Sequence, residues 1–331
     1  MSSSNRFNRP AWLSWLVALT LLPAPFAAAV EKRVKTRDGK QAQPTVAVDN
    51  VCAWPNLTVL PDGTIVATIH NQPSHLKLPA DVDCWASEDS GRTWAKRGTP
   101  APRDNRRVAR GNVAAGLAPS GDLIVIASGW SDPASRTRGT IMPPIVSRSA
   151  DGGRTWAIDA NAFPEPWPEV ARGKISPEGY VVPFGDILEG ADGTLRVGFY
   201  GGTSGSGFVY RSRDDGKTWG EPVPLNPEVV IHEPALFHLG KGKWLTAARL
   251  NGLNLYVSDD DAKTWSHRKQ LTGPQQHPGH FARLKGRAVL LTYGNRLEPK
   301  GVDVRFSDDE GGTWSEPFRV VDFQGDGGYP S

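Results

Sequence analysis

The chain is 331 residues long, 38% apolar and 22% charged, with a formal net charge of +3. That apolar content suffices for a buried core and excludes a disordered chain, while the near balance of charges, with no basic tail or stripe, argues against nucleic acid as a partner. Its 36 glycines and 28 prolines suit many short strands joined by tight turns.

At the N-terminus, Arg6 and Arg9 precede the apolar run AWLSWLVALTLL (11–22), which leads to the small-residue stretch AAA (27–29). Basic, apolar, small is the order of a secretory signal peptide, and the run is short for a membrane span. Residues 1–29 are therefore expected to be removed, with an uncleaved anchor as the alternative. Cleavage would leave 36 basic and 35 acidic residues in a domain spanning 30–331. The mature protein is expected to be secreted or periplasmic, without stable membrane insertion, and monomeric. Its two cysteines, Cys52 and Cys84, fall on strands separated by a third, beyond bridging distance, and are expected to be unpaired.

Beyond residue 50 the chain repeats itself. An eight-residue phrase recurs as SEDSGRTW (87–94), SADGGRTW (149–156), SRDDGKTW (212–219), SDDDAKTW (258–265) and SDDEGGTW (307–314). Each copy follows a β-branched or aromatic run: VDCWAS, PPIVSRS, GFVYRS, LNLYVS, VDVRFS. Upstream of each lies a run entered through a glycine turn, as in DGTIVATIH (62–70) and KGKWLTAAR (241–249), and upstream again a third, as in NLTVLP and EPALFHLG. With a short fourth run after each Trp, every unit reads as four strands, and no stretch carries a sustained helical period. Units of roughly 45–65 residues match a β-propeller blade. The repeated phrase is expected to close the hairpin between third and fourth strands. There Asp and Ser would bond backbone N–H groups, Gly would take a positive φ, and Trp would pack beneath. Ala262 replaces that Gly in the fourth copy, which should strain or reshape its turn.

This phrase is the Asp box, and the chain from about residue 50 onward resembles the sialidase (neuraminidase) superfamily. The resemblance implies an all-β, six-bladed β-propeller of four-stranded antiparallel blades. The sixth blade would draw on FQGDGGYPS and an N-terminal strand around QPTVAVD, and so would be incomplete. In such blades the boxes lie at one mouth of the central channel. The opposite mouth is built from first-strand starts, second-strand ends and the loops to the third strands. It would gather Cys52 to Trp54, Arg110 to Asn112, His232, Glu233, His280 and Tyr329, with His70 to Asp83, Trp130 to Arg138, Tyr200, Arg249 to Asn251 and Tyr293 to Arg296.

Four of these match the sialidase pattern. HEPALFHLGKGKWLTAAR supplies Glu233 as base and Arg249 as a carboxylate-binding arginine; LTYGNR supplies Arg296 likewise; GGYPS supplies Tyr329 as nucleophile. The chemistry implied is retaining hydrolysis of a terminal sialic acid or related acidic sugar. Tyr replaces the usual carboxylate nucleophile there, and arginines fork onto the sugar carboxylate. The pattern's first arginine is missing, with Ala53 in its place, and Arg107 or Arg110 would have to substitute. The acid is assigned to Asp81, with Asp83 and His75 as alternatives. Trp54, His75, Arg110 and Asn251 complete the expected substrate contacts; Trp130 and Tyr200 could stack a sugar ring or simply fill core. His75, His277 and His280 have no metal-ligand spacing, so neither metal nor cofactor is expected. Two rivals share the fold: a non-catalytic propeller binding glycan or protein, and a lyase using His and Tyr.

Overall fold

Every repeated phrase closes a hairpin, and the hairpins belong to five successive four-stranded units. The computed structural model describes residues 46–51, 55–73, 78–131, 139–164, 166–201 and 207–322. The first unit holds β1 (Asn56–Val59), β2 (Ile65–His70), β3 (Val82–Ser87) and β4 (Ala95–Ala101). The second holds β5 (Val108–Leu117), β6 (Leu123–Ser131), β7 (Ile141–Ser149) and β8 (Ala157–Asp159). In the third are β9 (Val182–Glu189), β10 (Leu195–Tyr200), β11 (Gly207–Ser212) and β12 (Gly220–Pro224). The fourth comprises β13 (His232–Gly240), β14 (Lys243–Arg249), β15 (Leu253–Ser258) and β16 (Ser266–Gln270). The fifth comprises β17 (Gln276–Arg283), β18 (Val289–Asn295), β19 (Gly301–Ser307) and β20 (Phe318–Asp322). Within each unit the strands pair antiparallel in chain order. The segments expected to form a signal peptide and most of a sixth blade lie outside the described residues, and 46–51 carry no strand.

The last strand of each unit is its least buried. All but the last residue of β5 is buried, as is all but the last of β6, whereas β8 and β16 are exposed throughout. A strand covered on both faces needs apolar or small residues at consecutive positions, and VARGNVAAGL obliges. Inner strands lie side by side. β5 and β9 are hydrogen-bonded in parallel, Ala114 opposite Gly185 through Gly116 opposite Ile187, joining the second and third units into one eight-stranded sheet. Gly116 is needed there, because a Cβ at that position would stand 2.2 Å from the Ile187 carbonyl oxygen.

The box turns lock as their residue types demand. In the first, Ser87 Oγ donates to Asp89 and accepts the Gly91 N–H, while Asp89 accepts the Arg92 and Thr93 N–H groups and the Thr93 hydroxyl. The Trp94 indole N–H caps the Gly91 carbonyl at 3.1 Å. Thr93's side chain foremost, with its backbone N–H and Ser87, holds the Asp89 carboxyl well below the usual range. In the fourth copy the turn keeps its shape: Ala262 takes φ +64° and its N–H still reaches Ser258 Oγ at 3.0 Å. The difference is absorbed as left-handed strain at an alanine and an indole N–H, that of Trp265, buried without a partner.

Boxes two to five each dock on the unit before. Arg97 donates to the Gly152 carbonyl at 2.7 Å; Asp215 accepts the Ser120 N–H at 3.0 Å; Asp261 accepts the Ala191 and Asp192 N–H groups and pairs with buried Arg196; Lys269 donates to the Gly312 carbonyl. Cys84 lies under this seam as a buried free thiol, which burial pushes up to about 12.

Three inner strands that are not chain neighbours also meet. Asp186 on β9 accepts from Asn56 of β1 at 3.1 Å and pairs with His280 of β17 at 3.1 Å. Burial alone would lower the His280 pKa, but the adjoining Asp186 carboxylate overcomes it and raises it. A contact among first, third and fifth units requires the units to curl round a shared axis.

Candidate functional site

At the end opposite the boxes, inner strands do not run straight into the mouth. In β13, Glu233 and Pro234 together stand opposite Ala248, since His232 pairs with Arg249 and Ala235 with Ala247. In β17, His277 and Pro278 stand opposite Gly294 in the same way. β5 carries its extra residue at Asn112, and β9 is irregular around Gly185. Such bulges bend a strand and re-aim its side chains. Three of them need a left-handed residue: Asn112 at φ +51°, Gly185 at +81° and Glu233 at +46°. Asn and Gly accept that conformation readily, and Glu does not. Glu221 and Glu310 share that conformation elsewhere, but only Glu233 carries it buried and at a bulge, where the second and third units use Asn and Gly; this points to a role outside folding, at a cost of about 1–3 kcal/mol.

Glu233 is 5% exposed. Its Oε2 accepts from Arg249 Nη1 at 3.1 Å and lies 4.0 Å from His277 Nδ1. Burial foremost, then the charges of Arg249 and Arg296 and the proximity of His232, bring the His277 pKa down to about 3. Burial and then Arg249 bring His232 down to about 4. Both imidazoles are thus neutral at ordinary pH, and the same interactions gather Glu233, Arg249, Arg296, His232 and His277 in one neighbourhood. From His232 the lining continues edge-on to the Tyr200 ring at 5.4 Å. Tyr200's hydroxyl accepts from Asn112 Nδ2 at 3.3 Å, and Asn112 Oδ1 accepts the Trp130 indole N–H at 3.1 Å. Units two to five all contribute.

The expected site residues divide. Glu233, Arg249 and Arg296 are brought together as the sequence suggests, and Asn251 lies exposed in the turn after Arg249. Asp81 sits in the β2–β3 connection, where both the Arg103 side chain and its backbone N–H bond it and Asn71 reaches both its carboxyl and its N–H. Arg110, 3% exposed, turns its guanidinium to Asp104 at 3.0 Å and the Pro143 carbonyl at 3.1 Å. Those partners tie it between the β4–β5 connection and β7. Trp130 is buried against Ile141 and Val182, as core. Trp54, His75 and Tyr329, with Cys52 and Ala53, lie outside the described residues. His277 is the residue that sequence reasoning weighed only as a metal ligand. Its signal was available: QHP (276–278) sits at the offset from its unit's strands that HEP (232–234) has in the unit before. Among the described residues no group of three or more His, Cys, Asp or Glu is placed to hold a metal ion, and no helix is long and apolar enough to cross a membrane.

Solved structures share this architecture. A protein of unknown function from Dyadobacter fermentans superposes with TM-score 0.65 at 22% identity, over 83% of this chain and 84% of that one. The Hadza microbial sialidase Hz136 gives 0.63 at 19% identity, over 87% and 65%. Trypanosoma rangeli sialidase gives 0.62 at 17% identity, over 88% and 51%. This chain therefore has a sialidase-like β-propeller fold, and it spans about two thirds and half the length of the two sialidases. No protein-family model matches the chain, and no curated protein matches it in sequence.

Proposed function

We propose that this chain is a secreted, six-bladed exo-glycosidase of the sialidase type, hydrolysing a terminal sialic acid or related acidic sugar with retention. The observation that carries the reading is Glu233: a buried carboxylate in a strained conformation, ion-paired to Arg249 at the mouth and flanked by Arg296 and two neutral imidazoles. Arg249 and Arg296 supply forked donors for a sugar carboxylate. Glu233 accepts the phenol proton of Tyr329 as the phenolic oxygen attacks the anomeric carbon, which a Tyr near its ordinary pKa of about 10 cannot do unaided. The aglycone oxygen leaves with a proton from the acid, Asp81, which reaches it only if the Asp81–Arg103 pair opens. Water then attacks the anomeric carbon and the protons return. Solved neighbours that superpose well include Trypanosoma rangeli sialidase as a covalent intermediate with 2,3-difluorosialic acid, which supports a covalent, retaining route on this fold.

The test is release of chromophore from aryl sialosides by the full-length chain, with aryl uronides and neutral aryl glycosides alongside. Turnover of an acidic glycoside that Glu233→Gln abolishes supports the proposal; no turnover of any acidic glycoside overturns it. A second reading, elimination, draws on the same cluster: Glu233, with the unprotonated His232 and His277 beside it, would take a proton from carbon. An unsaturated product would select it over hydrolysis.

A further inference from the structure

His277 and Glu233 occupy the same bulge in neighbouring units, each followed by proline, so the fold delivers the two side chains to one point. They do not touch. His277 Nδ1 is 4.0 Å from Glu233 Oε2, too far for an N–H···O bond, which closes to about 2.7–3.2 Å. Yet Nδ1 is fully buried without a hydrogen-bond partner, on a side chain 6% exposed. An oxygen placed about 2.8 Å from each atom spans that gap with an angle of about 90° at the oxygen, a geometry a hydroxyl accommodates while accepting one bond and donating another.

We propose that His277 and Glu233 together bind a single hydroxyl oxygen, His277 Nδ1–H donating to it and Glu233 Oε2 accepting its proton. The carboxylate opposite selects the tautomer with its proton on Nδ1. The groups around the imidazole, Glu233 and His232 from β13, Arg249 from β14 and Arg296 after β18, leave it neutral, so it donates without adding a charge. Oε2 already accepts from Arg249 and has one lone pair for the incoming proton. When that proton transfers, the hydroxyl O–H bond breaks, the carboxyl O–H bond forms, and the oxyanion is left facing Nδ1–H. The inference rests on the glycosidase reading only for the owner of the hydroxyl, a tyrosine nucleophile or the sugar itself.

Two measurements test it. Long-range proton–nitrogen correlation on the 15N-histidine-labelled full-length chain, assigned by the loss of signal in His277→Asn, should find His277 neutral at pH 6 with its proton on Nδ1. A proton on Nε2, or an imidazolium, overturns the proposal whether or not the protein is a glycosidase. In the kinetic arm, with an aryl sialoside, His277→Leu should lower kcat about 100-fold, as loss of an oxyanion donor does. His277→Asn, which keeps an N–H near Nδ1, should lose no more than about tenfold and guards against misfolding. The Glu233→Gln/His277→Leu double variant should be no slower than Glu233→Gln; additive losses overturn the shared oxygen. A fall confined to kcat assigns the oxygen to the nucleophile. A rise in KM that is absent with the deoxy sugar assigns it to the substrate. If the wild type turns over no acidic glycoside, the glycosidase reading falls and the tautomer decides the oxygen site.

Discussion

The two ends of the inner strands follow opposite rules. At one, the same turn is written five times, and in four of the five copies the Ser, Asp, Thr and indole groups of the lock all find partners within a few residues. At the other, the bulges carry Asn112, Gly185, Glu233 and His277, no two alike, and the groups there include backbone strain, an orphan imidazole nitrogen and clustered cations. Repetition here marks what folding needs of every unit, and departure from it marks what only the whole ring can use.

The sharpest way to break that contrast is at Glu233. Glu233→Gln should cut turnover of an acidic aryl glycoside about 1000-fold, within the range of lost general-base catalysis, and leave the melting temperature within a few degrees. Equal loss of stability would make Glu233 another fold residue. Arg249→Ala should cost about 10–100-fold in kcat/KM, chiefly through KM, the loss expected for a charge-assisted hydrogen bond to a substrate carboxylate. Steady-state kinetics across substrate concentration would separate the two parameters.

The opposite end should give the converse result. Asp214→Ala removes the acceptor for Ser212, the Thr218 N–H and the Thr218 hydroxyl, and should lower stability by about 1–3 kcal/mol in urea unfolding with kcat unchanged at low temperature. Acid should act on both ends in turn. His232 and His277 are lowered in the fold, so below pH about 6.5 the unfolded chain takes up protons first and stability declines from there toward pH 4 and 3. His280 works the other way, adding stability below about pH 6.5 that fades as pH rises through its raised value. The box carboxylates, Asp260 and Asp309 at about 2, add their own loss only below about pH 4. Thermal melts between pH 7.5 and 4.5 should therefore be flatter for the His232→Asn/His277→Asn variant than for wild type. The smallest effect is expected at Ala262→Gly, which relieves left-handed strain and adds backbone entropy to the unfolded chain; the two nearly cancel, leaving a change within about 1 kcal/mol on the stabilising side.

Local chemistry was legible in the sequence and long-range placement was not. Ser-x-Asp-x-Gly-x-Thr-Trp contains its own partners, so its turn could be read residue by residue. The glycine turn before β14 and the spacing to Arg249 likewise fixed which residues face Glu233 across the bulge. The ties of Arg110 to Asp104 and Pro143, and of Asp81 to Arg103, were not legible, because they join residues whose approach no periodicity encodes. The outer strands β8 and β16 are so exposed that AID and SHRKQ carry no apolar signature at all. His277 was legible only by laying one unit over the next, which shows that a bulge, like a box, is a repeat position, though one whose occupant changes.

Asp186 remains, held between Asn56 and His280 from facing units. One carboxylate thus laces the first, third and fifth units to one another through their inner strands, so a change that loosens any of the three should be felt by the other two.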